Sequence, residues 1–97
     1  METEKLKASV INKIEACRNQ LRELSLKIHS NPELGFQEVK AADWLTRYLK
    51  ENGFSIERGI GQLPTAFKAS YGNGKPLIAI LAEYDALPKL GHACGHN

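Results

Sequence analysis

Six consecutive apolar residues, Leu77-Ile78-Ala79-Ile80-Leu81-Ala82, lead straight into two carboxylates, Glu83 and Asp85. A run without polar alternation does not suit a strand with one solvated face. It fits an interior strand, buried on both sides between covering layers. An interior strand needs neighbours, and the neighbours need helices over them. This one stretch therefore predicts a layered α/β unit, with the reactive carboxylates at the carboxyl end of its most buried strand.

The preceding residues supply elements for such a unit. From about Glu4 to Ser30 there is no glycine or proline, and Leu6, Val10, Ile14, Cys17, Leu21, Leu24 and Ile28 recur at steps of four and three. That spacing predicts one long helix with a single apolar stripe, Cys17 being a plain core thiol within it. Asn31-Pro32 ends it, because proline disfavours helix at the residue before it. A second helix is predicted from about Gln37 to Glu51, with Ala41, Trp44, Leu45, Tyr48 and Leu49 inward and Asn52-Gly53 as its stop. Phe54–Glu57 and Thr65–Tyr71 alternate as strands, and Gly72-Asn73-Gly74 marks a turn before the apolar run. The predicted order is helix, helix, strand, strand, strand, in a mixed sheet with an antiparallel hairpin. Residues 1–97 are expected to form one portion of a domain, with no internal repeat or linker.

Composition narrows the function. A formal net charge of +2 with mixed signs argues against a nucleic-acid partner. No apolar run reaches the length of a membrane span. Nothing apolar follows Met1-Glu2-Thr3-Glu4-Lys5, so no secretory signal is evident and a cytoplasmic location is expected.

The chemistry gathers after the run. Glu83 and Asp85 are two apart, and His92, Cys94 and His96 are two apart again, with Gly91 and Gly95 before and between them. In extended backbone, residues two apart share a face. Thiolate, imidazole and carboxylate are the side chains that bind zinc and similar divalent ions. One reading is a metal site with Cys94 and His96 as ligands, and with His92, Asp85 or Glu83 as a third ligand or a support. Such an ion lowers the pKa of its bound water and polarises a carbonyl. A second reading is thiol chemistry, with Cys94 as nucleophile and His92 or His96 as base. A third is that these are solvated loop residues. Because the cluster falls in the last fifteen residues, the chain is expected to be the N-terminal part of a longer enzyme.

Ala82-Glu83-Tyr84-Asp85-Ala86-Leu87-Pro88, followed by Gly91-His92-Ala93-Cys94-Gly95-His96-Asn97, resembles the metal-dependent amidase, aminoacylase and carboxypeptidase group of metallopeptidase family twenty. His29-Ser30-Asn31-Pro32-Glu33-Leu34-Gly35-Phe36-Gln37-Glu38 is similar to the opening segment of the same group. The resemblance implies an α/β/α catalytic domain, with a smaller lid domain inserted later. It implies Cys94 and His96 as metal ligands and Asp85 as the aspartate that orients the active site. Glu83 stands where the wider family carries a histidine, and Asn97 where many relatives carry aspartate. Both departures favour the cysteine-containing subgroup. The implied activity is metal-dependent cleavage of an amide bond in an N-acyl amino acid or small dipeptide, using zinc or manganese. The complete enzyme is expected to act on small molecules and to be open to homo-oligomer formation. The contrasting expectation is a non-catalytic module that binds a partner through its helices and metal weakly through its end.

Overall fold

The computed structural model describes residues 2–97. Three helices come first: α1 (Glu2–Ala16), α2 (Arg18–His29) and α3 (Val39–Glu51). Two strands follow, β1 (Ser55–Arg58) and β2 (Phe67–Ser70), joined through a short 3-10 turn at Ile60–Gln62. The strands pair antiparallel, with Ser55 opposite Ser70 and Arg58 opposite Phe67. Helices followed by an antiparallel strand pair is the α/β arrangement that the periodicities predict.

The long first helix is interrupted once. Cys17 has φ −97° and ψ 2°, outside helical values. Its N–H is shared between the carbonyls of Lys13 (3.2 Å) and Ile14 (3.1 Å), a three-centre bond typical of a helix end. No glycine or proline announces this break. Cys17 is half-buried rather than a core thiol. The stripe therefore divides by function. Ile28 on α2 is buried, whereas Leu6, Val10 and Ile14 on α1 stay more than half exposed.

Helix α3 lies close to its predicted bounds, but of the residues expected inward only Ala41 is buried, while Trp44, Leu45, Tyr48 and Leu49 are half-buried. Ala41, Ala42 and Thr46 are buried, and Thr46 Oγ1 donates back to the Ala42 carbonyl at 2.7 Å. Lys27 of α2 sets its ammonium 4.5 Å from the Trp44 ring centroid, and Tyr48 donates to Gln20 at 3.2 Å. These contacts lay α2 against α3. Gly53, at φ +90°, ends the turn after α3 in a conformation that a Cβ disfavours.

The predicted third strand is not formed. Leu77, Ile80 and Leu81 are each at least 90% exposed, and residues 77–82 join no ladder among the described residues. The mixed sheet reduces to an antiparallel pair, and the glycine-rich turn at 72–74 closes no hairpin. A strand exists only beside another, and among the described residues no segment pairs with this one. Among the described residues, the buried apolar ones are Ile28, Ala41, Ala42 and Ala86. The core thus sits where the end of α2, the start of α3 and the loop after Asp85 meet.

Candidate metal centre

Residues 83–97 are held on the helices by a series of short tethers. The Ala86 N–H donates to the Glu33 carbonyl at 2.7 Å. Leu87 and Gly91 exchange backbone bonds of 3.0 and 3.1 Å, which closes the turn carrying Pro88. Gly91 takes φ +70° there, with Pro32 packed beside it. Asn97 Nδ2 donates to Ser25 on α2, at 3.2 Å to its carbonyl and 3.0 Å to its Oγ. Upstream, the Tyr84 hydroxyl donates to the Thr65 carbonyl and its ring stacks on Phe67, 5.9 Å between centroids. Thr65 Oγ1 in turn donates to Glu38, just before α3. Asp85 is therefore fixed on both sides, through Tyr84 and through Ala86.

Glu33 does two jobs. Its main chain receives Ala86, and its carboxylate accepts from the N–H groups of Lys40 (3.0 Å) and Ala41 (2.9 Å). Those are two of the four donors that the first turn of a helix leaves unpaired. A negative charge there is also favoured by the helix dipole. The Pro32-Glu33 segment thus joins the start of α3 to the site loop.

These tethers bring His96 between two carboxylates. Nδ1 lies 2.8 Å from Asp85 Oδ1, and Nε2 lies 3.0 Å from Glu83 Oε2. One ligand atom from each of Glu83, Asp85 and His96 falls within 4.8 Å of the others. The hydrogen bond from His96 holds the Asp85 carboxyl below its ordinary value, and the same bond pushes the His96 imidazole up, with Glu83 adding to it. Both ring nitrogens face carboxylate oxygens, an arrangement that favours the imidazolium form, in which both donate. A metal ion would take the place of the Nε2 proton, while Asp85 keeps Nδ1–H and so fixes the ring. Imidazole and carboxylate are donors of the kinds that bind divalent ions.

The other sequence-predicted residues lie outside that convergence. Cys94 is exposed on the same loop. His92 is buried, and neither ring nitrogen has a hydrogen-bond partner among the described residues. The thiol reading loses its geometry here: His96 is engaged by carboxylates at both nitrogens, and both nitrogens of His92 are enclosed. Sequence reasoning did not single out Glu33, Thr65 or Tyr84 as supports of the site. The spacing of Glu33 to the first turn of α3 carries no standard capping signature, and Tyr84 meets Thr65 only through the fold.

Comparison with known proteins bears on the family. No family model matches the chain. A p-aminobenzoyl-glutamate hydrolase of Escherichia coli (strain K12) is 40% identical over 101 residues, covering 87% of this chain and 21% of that protein. The Xaa-Arg dipeptidase of Mus musculus is 39% identical over 107 residues, covering 99% of this chain and 25% of that protein. Hippurate hydrolase of Campylobacter jejuni is 30% identical over 92% of this chain and 27% of its own length. The chain matches a segment of the amidohydrolase family. This amidohydrolase segment spans about a quarter of the length of the curated relatives it matches. The relatives are named as hydrolases, so the motif resemblance read from residues 29–38 and 82–97 leads to an enzyme family.

Proposed function

We propose that a protein carrying this segment at the full length of its relatives is a metal-dependent amidohydrolase that cleaves the amide bond of an N-acyl amino acid or small dipeptide. The observation that carries the reading is His96 clamped between Glu83 and Asp85. In this reading His96 and Cys94 hold a divalent ion, zinc or manganese. A bound ion supplies an acidified water and polarises the scissile carbonyl. Asp85 acts by holding the His96 Nδ1 proton, which directs Nε2 outward and keeps the ring from rotating. Glu83 provides a further carboxylate at the same point and offsets the charge of the ion. Cys94, exposed on the same loop two residues before His96, is assigned as the second ligand on the motif resemblance. The names of the relatives point to substrates in which an acyl group, an aminobenzoyl group or an amino acid is joined to an amino acid. Glu83 and Asp85, the carboxylates at the site, are both engaged by His96, so turnover is assigned to a protein of the relatives' full length.

The test joins binding to chemistry. Zinc and manganese are titrated into the chain and into its His96→Ala and Cys94→Ser variants. Hydrolysis of hippurate and p-aminobenzoyl-glutamate is followed in a protein of the relatives' length carrying the same changes. Metal content and activity should fall together. Full occupancy in His96→Ala, or hydrolysis indifferent to chelation, would sink the reading.

A further inference from the structure

Helix α3 is capped from outside its own N-cap position. The N-cap residue is Glu38, and its side chain makes no capping bond. The N–H groups that such a side chain would take, those of Lys40 and Ala41, go instead to the carboxylate of Glu33 upstream. The carboxylate at the N-cap is thereby released for another partner. Its Oε1 accepts from Thr65 Oγ1 at 2.9 Å.

Thr65 is buried, and both of its oxygens are used. The hydroxyl donates to Glu38, and the carbonyl accepts from the Tyr84 hydroxyl. One residue thus joins the carboxylate before α3 to the residue before Asp85. Burial pushes the Tyr84 hydroxyl up from its ordinary pKa, and the Glu38 charge pushes it further, with Arg58 opposing. The phenol therefore keeps its proton and stays a donor to Thr65. A hydroxyl bonded to a carboxylate is held more firmly than in a neutral pair, and leaving it enclosed without a partner is costly. The chain from Glu38 through Thr65 to Tyr84 hence has one favoured arrangement, and Tyr84 carries Asp85 with it.

We propose that Glu38 is a positioning residue of the site: through Thr65 and Tyr84 it sets where Asp85 stands against His96. Glu33 holds the other side of Asp85, since its carbonyl accepts from the Ala86 N–H. The two glutamates divide the work. Glu33 caps α3 and anchors the loop after Asp85, which leaves Glu38 free to anchor the residue before it. The effect of Glu38 on the His96 ring follows from this chain of bonds alone. Its effect on metal rests on the reading of His96 given above.

The experiment uses the whole chain, uniformly 15N-labelled. Glu38→Ala and Thr65→Val each remove one end of the bond, and valine keeps the branched shape of threonine. Glu38 is only half-buried, so its variants should fold. Each change should shift both ring nitrogens of His96. With cobalt(II) as the metal probe, each should weaken binding by about two- to tenfold, and the double variant by no more than the larger single loss. Glu38→Gln, which keeps an acceptor oxygen, should hold the His96 signals near wild type. Amide exchange separates positioning from capping. Glu38→Ala should leave the Lys40 and Ala41 amides protected, because their acceptor is Glu33, whereas Glu33→Ala should expose them. Unchanged His96 signals in Glu38→Ala would overturn the proposal, as would losses that multiply in the double variant. Faster exchange at Lys40 and Ala41 with His96 unmoved would make Glu38 a cap and nothing more. If the wild type fails to bind cobalt while Glu38→Ala still shifts His96, the metal reading falls and the positioning role stands. Equal cobalt binding by the wild type and the variants, with His96 unmoved, would leave the metal reading intact and refute the positioning role.

Discussion

Glu33→Ala isolates a contribution that the motif alone does not reveal. The substitution removes a carboxylate that accepts from the Lys40 and Ala41 N–H groups at 3.0 and 2.9 Å. It leaves the Glu33 main-chain carbonyl, and so leaves the bond from Ala86 in place. The change therefore reads helix capping and not loop attachment. The Lys40 bond is exposed, while the Ala41 bond is half-buried beside a buried alanine. Weighting the second more heavily, their joint loss costs about 1–2 kcal/mol, within the range of a lost cap with a charged acceptor. For a chain of this size that lowers the melting temperature by roughly 5–15 °C. Glu33→Gln retains an acceptor oxygen but loses the charge, and should lose roughly half as much. Urea unfolding followed by circular dichroism at the helical band gives the difference directly, with an unchanged m-value as the control. A loss below about 0.3 kcal/mol for Glu33→Ala would refute the capping role, since even the weaker caps exceed that.

Four further outcomes can be checked. Tyr84→Phe removes the donor to the Thr65 carbonyl and should cost about 1 kcal/mol in urea unfolding, because that carbonyl is partly enclosed. Asp85→Asn should leave metal bound but slow turnover of the full-length protein by about 10–100-fold, and a loss of under about twofold would make Asp85 a plain loop residue. The His96 clamp should depend on pH from both sides. The stability it gains from a raised pKa is complete below the ordinary 6.5 and lost as pH rises through the raised value, while that of Asp85 is complete above 3.8 and lost as pH falls through the lowered value. A histidine NMR titration placing His96 at or below 6.5 would contradict the clamp. Finally, Ile80→Lys should reduce self-association measured by light scattering, since the exposed run at 77–82 offers unpaired backbone and apolar side chains together.

The elements that were legible in the sequence are those whose stabilising contacts are local or repeat along the chain. Helix α3 forms within thirteen residues near its predicted bounds, and Asn52-Gly53 stops it by backbone preference, although its most buried residues are Ala41, Ala42 and Thr46 and not the aromatic pair. The strands β1 and β2 are close enough in sequence to find each other. The run at 77–82 was legible as a composition and not as a ladder. Six apolar residues announce what surroundings they need, but a strand is a relation between segments, and no described segment stands beside this one. The break at Cys17 had no signal either, because a shared N–H bond to Lys13 and Ile14 asks for no special residue.

The site divides along the same line, and the division explains how the loop works. Spacing placed Glu83 with Asp85, and Cys94 with His96, since residues two apart share a face. It could not say that the two sets fold back onto one another, because that return depends on contacts more distant in sequence. Ala86 must reach Glu33, Tyr84 must reach Thr65, and Asn97 must reach Ser25 before His96 meets both carboxylates. Each tether ends on α2, on the residues that open α3, or just before β2. The start of the chain thus provides the surface on which the reactive end is shaped. A change at Ser25 or Glu33 can disturb His96 without touching it, since the ring is held by carboxylates whose own loop depends on those anchors.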